Sequence, residues 1–200
     1  MINKFLKDSF FLAIFFLSFL PALAKDFVLL NENNILNEKV VNKINKIGNE
    51  LYSKSGITLA VAIGDQISFD ELLKEQNKLR DPYVLLILSK KSHKIDIVGS
   101  KDALSFFNRE KVLSPYPSVG TILPIISSNK GKDVYNASIL NGYADISDQI
   151  ANFLNIKLEN SIGNANKDTL NILRIVIYGF LCISVIYYFN RKMKGKRKNA

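Results

Sequence analysis

Residues 57–99 read ITLAVAIGDQISFDELLKEQNKLRDPYVLLILSKKSHKIDIVG. Ile57 to Ile63 and Tyr83 to Leu88 are almost wholly apolar runs, the composition of strands buried on both faces of a sheet. Between them, Ser68 with Glu71 three residues on forms a capping box, which predicts a helix through Leu72, Leu73 and Leu79. Ser89-Lys90-Lys91-Ser92 reads as a hairpin turn. Lys94 to Val98 then alternates as a half-exposed strand that stops at Gly99.

Working outward, Phe27-Val28-Leu29-Leu30 is a further short apolar run, followed by the turn-rich Asn31-Glu32-Asn33-Asn34. Leu36, Val40, Val41, Ile44, Ile47, Leu51 and Tyr52 recur at helical spacing, and Gly56 is placed to close that helix in a left-handed cap. Downstream, residues 101–112 are expected to be helical. Pro115, Pro117 and Gly120 interrupt, and Ile122 to Ile126 begins another helical segment. The longest helix is expected from Lys132 to Leu154, with Tyr135, Ile139, Tyr143, Ile146, Ile150 and Leu154 on one stripe. Asp145 and Asp148 are assigned to its solvated side. Strands separated by helices, with one hairpin, predict an α/β fold in which helices cover both faces of a small mixed sheet, a three-layer α-β-α arrangement.

The two ends read as topology. Lys4 and Lys7, the apolar stretch from Phe10 to Leu20 and Ala22-Leu23-Ala24 have the pattern of a signal peptide over residues 1–24, with cleavage expected after Ala24. Residues 170–190 are apolar apart from Asn171, Arg174, Ser184 and Asn190, long enough at about 1.5 Å per residue for one bilayer crossing. Arg191, Lys192, Lys194, Lys196, Arg197 and Lys198 follow, so residues 191–200 are expected to stay in the cytoplasm by the positive-inside rule. Residues 25–156 are then expected as an exported, periplasmic domain of a single-pass protein of the cytoplasmic membrane. The polar stretch 157–169 reads as a juxtamembrane linker with a reach of roughly 20 Å.

That topology also accounts for the charge. The chain carries a net +9, but the first 24 residues contribute +1 and the last 31 contribute +7. Residues 25–169 hold 18 basic against 17 acidic residues, a net of +1. A nucleic-acid-binding face is therefore not implied. The one cysteine, Cys182, lies in the expected span, so the exported domain has no disulfide.

The element order between residues 29 and 154 resembles the TPM domain family, exported modules related to thylakoid-lumen proteins of photosystem II repair. The family's Asp-x-Ala-Gly-x-Leu helix opening corresponds to Asn31-Glu32-Asn33-Asn34-Ile35-Leu36, and its Thr-Gly-hydrophobic strand entry to Ser55-Gly56-Ile57. Its later strand and basic hairpin correspond to Asp81-Pro82-Tyr83-Val84-Leu85-Leu86 and Lys94-Ile95-Asp96-Ile97-Val98-Gly99. Its last helix follows a segment similar to Gly131-Lys132-Asp133-Val134-Tyr135. The resemblance implies a binding or scaffold module for a membrane protein complex, or a metal-dependent phosphatase using Ca2+ or Mg2+ held near Asp81 and Asn31. Asn31 replaces the family's first Asp and keeps an oxygen without the charge that hard cations favour.

Other chemistry is sparse. His93 is the one histidine and sits in a turn, which leaves no His-based triad or zinc set. No serine lies in a Gly-x-Ser-x-Gly elbow, and there is no phosphate-cradling glycine loop. Asp81 stands either as a metal ligand or as a charge at a strand entrance. Lys90, Lys91 and Lys94 form a small basic turn suited to an acidic or anionic partner. Phe106-Phe107 and Tyr116, between Pro115 and Pro117, are candidates for a partner-binding edge. A third functional class is an envelope-complex accessory subunit that acts through its transmembrane helix.

Overall fold

Strands β2 (Thr58–Gly64) and β3 (Tyr83–Ser89) pair in parallel at the centre of a four-stranded sheet. Their apolar runs leave β2 buried along its whole length and β3 buried from Val84 to Ser89. The computed structural model describes residues 25–128, 133–162, 173 and 175–188. The chain divides into two compact units, 1–104 and 105–200. The expected signal peptide and basic tail lie outside the described residues, as do parts of the expected linker and span.

In the first unit, β1 (Val28–Asn31) lies parallel to β2, and β4 (Lys94–Gly99) lies antiparallel to β3, giving the order β1-β2-β3-β4. Helix α1 (Glu38–Ser55) links β1 to β2. The side chain of its cap residue Asn37 accepts from the Val40 N–H at 3.0 Å. At its other end Gly56 takes φ 75° and donates its N–H to the Tyr52 carbonyl at 2.8 Å, the left-handed geometry that glycine adopts without steric penalty. Val40, Ile44, Ile47 and Leu51 form its buried stripe. At about 1.5–3 kcal/mol per buried large aliphatic side chain, that stripe outweighs a cap worth about 1 kcal/mol. Helix α1 packs on β1 and β2.

Helix α2 (Phe69–Leu73) begins as the capping box predicts, with Ser68 Oγ accepting from the Glu71 N–H at 3.4 Å. It is shorter than expected. From Lys74 to Lys78 the chain tightens into a 3-10 turn with no buried residue, because Lys-Glu-Gln-Asn-Lys offers no apolar side chain to extend the packed face. Phe69 and Leu72 of α2 pack with Ala60, Ala62, Leu85 and Ile87 in one core cluster. By strand alternation Leu59, Val61, Val84 and Leu86, all fully buried, point to the opposite side of the sheet.

Helices follow the sheet, the first of them lying in the first unit up to its end at Leu104, and the second unit is helical. The helix expected over 101–112 is broken in two, α3 (Lys101–Ser105) and α4 (Arg109–Val112). The break arises because Asn108 leaves the helical conformation to cap α4, accepting from the Lys111 N–H at 2.9 Å. Phe107 turns inward at this break and is buried, and Phe106 meets Phe153 with ring centroids 5.0 Å apart. Helices α5 (Leu123–Ser128) and α6 (Val134–Phe153) pack together. Helix α6 ends on Asn155 at φ 55°, where the Asn155 and Ile156 N–H groups donate to the carbonyls of Asn152 (3.2 Å) and Ala151 (2.8 Å). This is a Schellman closure with Asn in glycine's place.

Among the described residues no helix is long and apolar enough to cross a membrane. Of the expected span, residues 173 and 175–188 are described. They are helical and every side chain is exposed.

Candidate functional site

Open sheets with parallel strands take ligands at the carboxyl ends of those strands. Here that end of the first unit gathers the residues following β1, β2 and β3. Asn31, the last residue of β1, uses both ends of its amide on one neighbour. Its Nδ2 donates to the Leu36 carbonyl at 2.8 Å and its Oδ1 accepts from the Leu36 N–H at 2.9 Å. The clamp encloses a 3-10 turn, Glu32–Asn34, in which Asn33 and Asn34 adopt φ 53° and 52°. Asn tolerates that region better than other non-glycine residues.

The turn aims two side chains across to β2. Glu32 Oε2 accepts three consecutive backbone N–H groups, from Asp65 (2.6 Å), Gln66 (2.8 Å) and Ile67 (3.2 Å). Asn33 Nδ2 donates to Asp65 Oδ2 at 3.2 Å. From β3, Lys90 Nζ lies 2.5 Å from Asp65 Oδ1, and its N–H donates to the Gly64 carbonyl at 2.9 Å. The hydrogen bond from the Lys90 ammonium, aided by that from Asn33, holds the Asp65 carboxyl below its ordinary value.

A second set of bonds ties the hairpin tip to α2. Ser89 Oγ donates to the Ile67 carbonyl at 2.7 Å and accepts from the Ser92 N–H at 3.1 Å, and Ser92 Oγ accepts from the Phe69 N–H at 3.0 Å. The Lys94 ammonium lies 4.0 Å from the Phe69 ring centroid, within cation-π range. His93 takes φ 47° and closes the turn through its N–H to the Lys90 carbonyl. Of the three lysines singled out in the sequence, Lys90 is ion-paired, Lys94 covers an aromatic ring and Lys91 is exposed.

Asp81 is exposed at the start of β3, before Tyr83. Because β1 and β3 both run parallel to β2, Asn31 and Asp81 lie at opposite ends of the sheet. Seven residues of β3 at about 3.3 Å each put roughly 20 Å between those ends, too far for one cation at ~2.4 Å from its oxygens. The two expected metal-site residues are therefore not brought together. Among the described residues no group of three His, Cys, Asp or Glu could hold a metal ion.

In the second unit Tyr116 is 70% exposed at the tip of the Pro115–Pro117 loop. Asp145 departs from its expected place on a solvated face: it is only 5% exposed and accepts from Thr121 Oγ1 at 3.0 Å. The cause is Gly142, one turn earlier on α6. A Cβ there would lie 2.4 Å from the Ile122 side chain, so the missing side chain lets the 121–122 segment close over Asp145.

Glu32 and Asp65 escaped the sequence reading. The signal that could have found them is position: each carboxylate lies two residues after an apolar run of the sequence, in the place where parallel strands end. The fold and this cluster define an α/β unit whose strand ends are closed by its own ions and amides. No protein-family model matches the chain, and no curated protein sequence matches it.

Proposed function

We propose that this protein is a membrane-anchored, outward-facing binding or scaffold module of the TPM type that assists assembly or maintenance of a membrane protein complex. The observation that carries this reading is the helix at 175–188. Ile175, Val176, Ile177, Phe180, Leu181, Ile183, Val185 and Ile186 are each at least about half exposed around it. A helix apolar on all sides requires an apolar surround, and the cation cluster after it in the sequence fits the cytoplasmic side. The β-α-β-α-β-β order of residues 28–99 and the helices packed on the sheet support a three-layer TPM-like domain on the outer side. Its partners are envelope proteins at that surface, met through exposed groups such as Lys91.

The test uses the full chain in its native membrane. A photocrosslinker at position 91 should trap a small, reproducible set of envelope proteins, while a crosslinker at the exposed Lys78 should not. A tag on the C-terminus should be shielded from externally added protease. Equal, non-specific trapping at both positions refutes the scaffold role, and a protease-sensitive tag refutes the orientation.

A further inference from the structure

Resting on the anchored reading, we infer that the uncharged segment 112–128, tipped by Tyr116 and Val119, is a second contact with the bilayer that residues 170–190 enter. Although 22% of the chain is charged, these 17 consecutive residues contain no charged side chain. Residues 115–119 are all exposed, Tyr116 to 70% and Val119 to 40%. Helix α5, which follows, has no buried residue although it contains Leu123, Pro124, Ile125 and Ile126. The tip and α5 therefore present half-exposed or exposed apolar side chains with no ion to desolvate on contact.

The loop is held in one shape. Val119 and Gly120 N–H groups both donate to the Tyr116 carbonyl, at 2.9 and 2.8 Å, and the Tyr116 N–H donates to Ser114 Oγ at 3.3 Å. A Cβ on Gly120 would fall 1.7 Å from the Ser114 carbonyl oxygen, so this turn accepts glycine alone. Pro115 and Pro117 restrict φ on either side of Tyr116. At the base, Thr121 is fixed by its N–H to the Val112 carbonyl (3.2 Å) and by its hydroxyl to Asp145. A tip already ordered loses little entropy when it binds.

The bilayer is the favoured occupant because the chain itself delivers this loop there. Helix α6, on which α5 packs, is covalently joined to the membrane-entering segment through 157–169, whose composition predicts a reach of roughly 20 Å. At that separation the surface is presented at high effective concentration, so a contact too weak to act alone is populated. A tyrosine, with its apolar ring and polar hydroxyl, suits the headgroup layer.

The chain has no tryptophan, so Tyr116→Trp places one fluorophore at the tip. Full-length protein carrying it is reconstituted in vesicles of phosphatidylcholine and phosphatidylglycerol, alongside Tyr52→Trp, a 42% exposed position in the first unit. The expected result is a shift of the 116 emission to shorter wavelength, with quenching by brominated lipid and protection from acrylamide. Emission from position 52 should remain open to acrylamide. Position 116 quenched by acrylamide and indifferent to brominated lipid overturns the inference, as does a shift seen in native membranes but not in pure vesicles, which would assign the tip to a protein. Flotation scores the anchor separately. A chain that does not float overturns the anchored reading and the loop contact together, whereas a floating chain with a water-exposed tip overturns the loop contact alone.

Discussion

Replacing Glu32 tests whether the carboxyl end of the sheet is held by one carboxylate. Its Oε2 accepts from three successive backbone N–H groups at 2.6, 2.8 and 3.2 Å. Hydrogen bonds to a charged acceptor contribute about 1.5–3 kcal/mol each at their best. The three are not equal here. The Gln66 bond is exposed, so water can replace the carboxylate there at little cost, and the Ile67 bond is long. The Asp65 bond is short and part-buried, and it carries most of the effect. For Glu32→Ala the expected loss is therefore about 2–3 kcal/mol, well below three times the single-bond figure. Glu32→Gln keeps one acceptor without the charge and should lose about 1 kcal/mol, since neutral hydrogen bonds are worth roughly half as much. For a unit of this size each kcal/mol corresponds to about 4–8 °C in Tm.

The assay pairs urea denaturation, followed by far-ultraviolet circular dichroism, with amide hydrogen exchange. In Glu32→Ala the exchange of Asp65 and Ile67 amides should accelerate, while the β2 amides from Thr58 to Ile63 keep their protection relative to the global stability. Loss of less than about 0.5 kcal/mol, the usual range for plain surface substitutions, would mean that solvent satisfies these donors as well as Glu32 does. Uniform acceleration across β2 would also refute the reasoning, because the carboxylate would then be supporting the whole strand rather than the turn after it.

Three further outcomes are expected. The Asp65 carboxyl is lowered from 3.8 in the folded chain, chiefly by Lys90, so its contribution is present above 3.8 and is lost as pH falls through the lower folded value. The stability gap between wild type and Asp65→Asn, followed by denaturation from neutral to strongly acid pH, should stay constant and then close below 3.8; a gap unchanged in acid contradicts the pairing. Asn31→Asp removes the donor to the Leu36 carbonyl and sets a carboxylate against it, which should cost about 1–3 kcal/mol in the same urea assay. Thr121→Val withdraws the hydroxyl from the buried Asp145 carboxylate and should cost about 1–3 kcal/mol, with a double-mutant cycle against Asp145→Leu giving a coupling above 0.5 kcal/mol.

The central strands were legible because their cause is local. The seven consecutive buried positions of β2 call for a nearly unbroken apolar run, and ITLAVAI at 57–63, apolar but for Thr58, shows it without any partner being known. Gly56, Ser68 and the turn before Lys94 were legible for the same reason, since caps and tight turns are set by a few adjacent residues. The miss at 101–112 has a different origin. Helical spacing continues through Phe106-Phe107, but burial of Phe107 and the cap offered by Asn108 outweigh the hydrogen bonds of an unbroken helix. Asp145 was misassigned because its burial depends on the absent side chain at Gly142 and on a threonine 24 residues earlier. The Glu32 cluster joins positions 33 to 35 residues apart, a distance at which no periodicity operates.

That closure at the strand ends bears on how a partner could be recognised. Where an open parallel sheet would offer free N–H groups to an anion, Glu32 already occupies them, and Asp65 already neutralises Lys90. A partner's carboxylate competing for Lys90 would have to release a charge pair whose Asp65 is also held by Asn33. Displacing it leaves Asp65 without its main counter-ion, a cost that the new pair must offset before any net affinity appears. Lys91 involves no such exchange: it stands exposed on the same turn, and a rim charge of this kind acts chiefly on the rate of encounter and on its salt dependence. On the proposed function, an acidic partner meeting this hairpin would be steered by Lys91 toward the sheet end rather than gripped there.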